Sequence, residues 1–298
     1  AALAALPGQC LRKPTLTNGR RAALAAVFRR GPSGEEEVLF IKRATNPTDP
    51  WSGHVALPGG RAEEADRGED EVTAARETHE EVGIDLLDGS WSRLGRITDD
   101  RVIYPGGRPL TVSLFGFAHS HPGSPPSEPT LPTNSSEVDF AWWVPTSTLM
   151  PGSLYWRETP LEELVPERGN LARAVLRMSG AQSLRFAAIA LPAPPPPASV
   201  DKPALWGLTL AFTSDMLGRA CGTPLVGHGA PAEWASAFRS SGGNLADAVL
   251  KAALEGQRLR AVARARAVEG GGTLVAAGVA VLVMAAAVSG RRSKPVQS

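Results

Sequence analysis

Apolar residues fall in short blocks along the chain, separated by turn-forming stretches. Residues 22–28 (AALAAVF) and 38–41 (VLFI) are two such blocks, and GPSGEEE lies between them. Glycine, proline and serine favour a turn, so the pair predicts a β-hairpin, introduced by the basic Arg20-Arg21. A short apolar segment at 54–57 ends a loop containing Pro47, Pro50 and Gly53. Residues 91–98 predict a strand, and residues 110–117 alternate well enough to predict another, with a glycine-rich, charged loop at 99–108 between them. Residues 137–145 predict another strand, leading into a short helix near 146–150. Residues 205–209 open an apolar helix that runs to about 217. Residues 193–198 form a proline tract, which reads as an extended linker.

One helical stretch breaks the apolar pattern. After Leu57-Pro58-Gly59-Gly60 comes an acidic run that reaches Arg76-Glu77-Thr78-His79-Glu80-Glu81-Val82-Gly83. On a helix Glu77, Glu80 and Glu81 stand at i, i+3 and i+4, so three carboxylates share a face. Charge runs are usually solvated faces. Like charges this close repel, however, and a divalent cation relieves that cost. Oxygen ligands suit Mg2+ or Mn2+. Arg76 is placed to orient one of the carboxylates through a forked hydrogen bond. His79 falls in a variable position and is expected to face solvent.

Composition narrows the field only slightly. The 298 residues carry 31 Lys plus Arg against 30 Asp plus Glu, so no global charge points to nucleic acid. Hydrophobic residues make up 43%, enough for a sizeable core in one or two domains. Cys10 and Cys221 are far apart and in no metal-binding spacing, which fits a reduced compartment. His119 and His121 sit in a proline-rich loop with no third ligand nearby in sequence, so zinc is rejected.

The stretch from Gly59 to Ile84 resembles the Nudix box of the Nudix hydrolases. That pattern is a glycine, five residues, a glutamate, seven residues, then Arg-Glu-apolar-x-Glu-Glu-x-Gly-apolar. Arg76 to Ile84 fit its second half, with Thr78 in the apolar slot. The first half departs from it. Counting back from Arg76 puts Ala62 in the glycine slot and Gly68 in the acid slot. A short insertion restores the pattern, with Gly59-Gly60 as the turn and Glu64 or Asp66 as the acid. The preceding Arg43-Ala44, Gly53 and Leu57-Pro58-Gly59-Gly60 resemble the coenzyme A diphosphatase branch. Thr48 or Asp49 stands where that branch has a second arginine. Leu205-Trp206-Gly207-Leu208-Thr209 resembles the branch's closing segment.

The resemblance implies an α/β/α sandwich with a mixed sheet over residues 20–217, preceded by an arm at 1–19. It implies metal-dependent hydrolysis of a diphosphate linkage in a nucleoside diphosphate derivative. Coenzyme A or an acyl-CoA is the first candidate; NADH, ADP-ribose or another nucleotide is the alternative. Glu77, Glu80 and Glu81 would be the catalytic and metal-binding residues, with the Gly60 carbonyl in the metal shell. Gly59 and Arg43 would meet the substrate, and Trp51 is a candidate to stack on its base. Glu137 is a candidate additional acid. A third reading is an inactive, membrane-tethered nucleotide-binding module.

Beyond 217 the pattern changes. Residues 218–269 are alanine-rich and helical in pattern, with Arg258, Arg260, Arg264 and Arg266. Residues 270–290 form 21 positions without a charge, followed by Arg291 and Arg292. Length and basic flanks predict a tail anchor with the hydrolase on the cytosolic side. Peroxisomal, mitochondrial and plastid outer membranes all fit such a tail.

Overall fold

The computed structural model describes residues 19–46, 49, 51–103, 109–120, 126, 128–131, 137–149, 151–160, 183–194, 203–221 and 238–240. The expected hairpin is present. Strand β1 (Arg20–Arg30) pairs antiparallel with β2 (Glu36–Arg43), with Phe28 opposite Val38. Then come β3 (Val55–Ala56), β4 (Gly59–Arg61), α1 (Asp70–Val82), β5 (Trp91–Arg96), β6 (Arg101–Ile103), β7 (Leu110–His119) and β8 (Val138–Pro145). They are followed by β9 (Leu154–Pro160), β10 (Ser183–Ala190), β11 (Ala204–Trp206), α2 (Gly207–Cys221) and β12 (Phe238–Ser240).

The main sheet is mixed. Its strand order is β3-β2-β1-β7-β5, with β4 also on β1, β6 on β7 and β8 on β2. β1 and β7 run parallel over their length, from Arg20 beside Leu110 to Phe28 beside Ala118. The other pairs in this sheet with a defined register are antiparallel. β1 is apolar at successive positions because both of its faces are covered, as parallel strands require. Ala22, Ala26 and Phe28 join one core with Leu210, Phe212 and Met216 of α2. Ala23, Ala25 and Val27 join another with Ala74, Ala75 and Val82 of α1. The sheet therefore lies between two helices, which is the α/β/α sandwich expected from the sequence. β10 and β11 pair antiparallel in a smaller sheet, with Ala188 opposite Trp206.

By contacts the chain divides into two units. The first holds both cores. The second comprises 104–109, 158–185 and 238–298, and its described parts are chiefly the end of β9, the start of β10 and β12.

Several expectations change. The 99–108 loop contains β6, a short strand at the edge of β7. Gly59 and Gly60 form a strand as well as a turn, because β4 pairs with Ala23 and Leu24 of β1. Residues 154–160 and 183–190 are strands that the sequence pattern did not single out. The arm at 1–18, most of the 218–269 region, His121 and the 270–290 stretch lie outside the described residues. Among the described residues, no helix is long and apolar enough to cross a membrane.

Candidate active site

The turn before α1 is built around β1. Gly59 has φ +143°, and a Cβ there would lie 2.3 Å from the Ala23 carbonyl oxygen, so only glycine fits against the strand. Its N–H donates to Glu81 Oε2 at 2.9 Å. At Gly60 a Cβ would lie 2.5 Å from the Glu77 carboxylate. The two glycines thus leave room for different things: backbone at Gly59, an acidic side chain at Gly60.

The missing acid of the pattern is Asp66. It lies six residues after Gly60, as the pattern requires, and the two extra residues come later. Arg67 (φ 52°) and Gly68 (φ 78°) turn left-handed between Asp66 and α1. Asp66 is 2% exposed and fully bonded. Arg76 Nε donates to its Oδ1 at 2.8 Å, while Thr73 Oγ1 and the Glu63 N–H each donate to its Oδ2 at 2.8 Å. The Arg76 bonds, with those from Glu63 and Thr73, hold Asp66 at about 2, well below its usual range. Arg76 also donates to Glu80 Oε2 at 2.8 Å, to the Arg61 carbonyl at 2.9 Å and to Glu77 Oε1 at 3.1 Å. It orients acids, as its sequence position implies.

The three carboxylates of α1 do not behave alike. Glu81 is buried and Glu77 half-buried, but Glu80 is exposed and tied to Arg76. Among the described residues, no three Asp, Glu, His or Cys side chains converge as a ready-made metal cage. The reason is the i,i+4 pairing that draws Glu80 toward Arg76 and the surface. Burial pushes the Glu81 carboxyl up to about 8, and the Glu77 and Glu137 charges add to the rise. Burial also raises Glu77, with Glu80 and Glu137 adding to the rise. Glu137, at the foot of β8, therefore bears on both Glu77 and Glu81. An oxygen-only donor set whose acids are held above their usual range is the environment a hard divalent cation offsets. On that ground the residues fit such an ion.

The helix ends as the pattern requires. Gly83 takes φ 71°, and its N–H donates to the His79 carbonyl at 2.9 Å. Thr78 is buried in the apolar slot and donates to the Ala74 carbonyl. His79 is exposed.

The flank before the box places Arg43 and Trp51 differently. Arg43 donates twice to Asp49 Oδ2, at 2.9 and 2.8 Å, and its own N–H donates to the His54 carbonyl. Asp49 Oδ1 accepts the Trp51 N–H at 3.0 Å. Trp51 packs against the α2-side core. Asp49 therefore organises the loop, a role its sequence position alone did not reveal. His54 meets Trp206 at 4.6 Å between ring centroids, and Phe186 meets Trp206 at 5.2 Å. Arg157 lies over the Trp206 ring at 5.5 Å. Burial, followed by the Arg157 charge, holds His54 below its usual range.

The NUDIX domain model matches residues 19–165, which include the box, the sheet through β8 and all of β9. Residues 19–165 belong to the Nudix family. Similar stretches occur in an uncharacterized protein of Schizosaccharomyces pombe, 43% identical over 116 residues, or 38% of this chain and 33% of that protein. They occur also in Nudix hydrolase 15, mitochondrial, of Arabidopsis thaliana, 39% identical over 74 residues, or 25% of each chain. The chain thus spans about a third of the first relative's length and a quarter of the second's. A solved Ap4A hydrolase of C. elegans overlays 54% of this chain and 98% of that one, at 18% identity and a TM-score of 0.35. That overlay is too loose to bear on the fold. The Nudix residues Glu77, Glu81, Gly59, Gly60 and Arg76 come together around one turn. Glu80 and Glu137 border it, while Arg43 sits one strand away.

Proposed function

We propose that this Nudix protein hydrolyses a diphosphate linkage in a nucleoside diphosphate derivative, with Mg2+ or Mn2+ as cofactor. The observation that carries the reading is Glu81. It is buried beside Glu77 and held by the Gly59 N–H, in surroundings that disfavour its charge until a cation is near. Glu77 and Glu81 would hold the ion, joined by Glu80 and the Gly60 carbonyl. When bound, such an ion neutralises charge on the diphosphate and eases deprotonation of water. The chain's own part is to fix these acids: Asp66 and Arg76 lock the loop, and Gly60 leaves room for the Glu77 carboxylate. A carboxylate of this group accepts the proton of the attacking water. Intact Glu77, Glu80 and Glu81 argue against an inactive binding module.

Coenzyme A or an acyl-CoA is the proposed substrate, giving 3',5'-ADP and a phosphopantetheine product. Support comes from Arg43-Ala44, Gly53, Leu57-Pro58-Gly59-Gly60 and the Leu205–Thr209 closing segment. NADH and ADP-ribose are the competing substrates, and Asp49, opposite in charge to a second arginine, favours them. The uncharged 270–290 stretch between basic flanks supports a tail anchor, with the catalytic domain facing the cytosol on a peroxisomal, mitochondrial or plastid membrane.

Glu81→Gln is expected to abolish metal-dependent turnover without unfolding the protein. Unchanged turnover would sink the mechanism. A panel of coenzyme A, NADH, ADP-ribose and diadenosine substrates tests the specificity, which fails if coenzyme A is the poorest. Carbonate extraction of membranes tests the anchor, and full release into the supernatant rules it out.

A further inference from the structure

Arg157 is unusual among the cations near the site. Its guanidinium is half-buried over Trp206, and its Nε is buried without a hydrogen-bond partner. A partly desolvated cation is costly unless an anion meets it. Two guanidinium groups, those of Arg157 and Arg43, bear on His54 against one carboxylate, Asp49. Arg43 already holds Asp49 through two hydrogen bonds. Burial and these charges leave the imidazole itself neutral at neutral pH, so the surplus positive charge stays on arginine.

His54 ties this group to the candidate site: it lies five residues before Gly59, and its carbonyl accepts the Arg43 N–H at 2.9 Å. The platform under Arg157 is rigid, because Trp206 is packed by His54 and Phe186 as well. Phe186 and Trp206 lie beyond the matched 19–165 segment. An arginine held flat on an aromatic ring presents its remaining N–H groups in a fork suited to phosphate.

We infer that Arg157, seated on Trp206 beside His54, binds a phosphate group of the substrate that lies outside the cleaved diphosphate. The ligand class is a nucleotide carrying a separate phosphate monoester, such as the 3'-phosphate of coenzyme A. The assignment of that phosphate to a substrate rests on the hydrolase reading above.

Binding is measured first, on the full chain with Mg2+, by calorimetric titration of 3',5'-ADP and of 5'-AMP. Wild type should prefer the bisphosphate about tenfold, the value of one charge-assisted bond. Arg157→Gln should bring that ratio close to one, and Arg157→Lys should keep part of it, since it retains charge without the planar fork. The ratio of kcat/KM for coenzyme A over its form lacking the 3'-phosphate should fall likewise, mainly through KM. Equal affinity for both probes in wild type would overturn the inference. So would an unaltered ratio in a folded Arg157→Gln protein, checked by its melting curve. Should that variant unfold, Arg157→Lys carries the same comparison. Absence of hydrolysis with the binding preference intact would defeat the hydrolase reading and leave Arg157 as an anion site.

Discussion

Asp66 and Glu81 are both buried carboxylates, one in the loop before α1 and one on its inner face. Their surroundings drive them in opposite directions. Asp66 is met by Arg76, Thr73 and the Glu63 N–H, and is held at about 2. Glu81 is met by a single backbone N–H and is pushed up to about 8. Burial is common to both; the supply of donors is not. The loop therefore uses its acid as a bolt, whereas the helix keeps its acid under-satisfied and ready for a positive partner.

Substitutions at the two acids should separate these roles. Glu81→Gln should lower turnover by at least about 10²–10³, with the melting temperature unchanged or higher, since a carboxyl costly to ionise has been replaced by a neutral group. Asp66→Asn should do the reverse. Its amide would point donors at Thr73 and Glu63, and loss of the buried pair should cost about 3 kcal/mol or more in urea denaturation. Activity per folded molecule should largely survive. If Asp66→Asn proves stable but inactive, the division between bolt and reactive acid is wrong.

The neighbouring glycines give a smaller version of the same contrast. Gly59→Ala meets backbone and a left-handed φ, and should destabilise by about 1–3 kcal/mol. Gly60→Ala meets only the movable end of Glu77, so its stability cost should be under about 1 kcal/mol. Turnover should nevertheless drop about tenfold, because the acid is displaced. Equal stability losses in the two variants would argue against separate functions.

The mildest test is pH, with chelator present. Folded Glu81 keeps its proton up to about 8, whereas the unfolded carboxyl releases it near 4.5. Between those values the folded state binds more protons, so the melting temperature should fall as pH rises from 5 to 8. Mg2+ should reverse the fall. Asp66 acts in the opposite sense: its stabilisation is present above 3.8 and is lost as pH falls toward 2. A profile flat from 5 to 8 would contradict the account of Glu81.

Much of this was legible in the sequence. The hairpin followed from two apolar blocks and a turn, and the box helix from Arg76 to Gly83. Asp66 was one of two acids the spacing allowed, and only the fold chose it, by placing it against Arg76. The outward turn of Glu80 was hidden because spacing gives angles around a helix but not the competing pull of an adjacent arginine. Asp49, Arg157 and Trp206 escaped notice as a group for another reason. Asp49 shares the loop with His54, but Arg157 and Trp206 come from segments more than 100 residues away that tertiary packing alone brings near it. The parallel β1–β7 pairing was equally silent, since no local signal ties strands so far apart.

That pairing has a consequence in time. Arg20 pairs alongside Leu110, across 90 residues of sequence. β1 also carries β4 and so the glycine turn on which Glu81 depends. During synthesis the N-terminal strand must wait until β7 has been made before its second edge is closed. Non-local strand pairing of this kind is slow, because loop closure precedes its reward. Helix α1 can take shape from its own sequence early, but its acids acquire their final surroundings only when that late strand arrives.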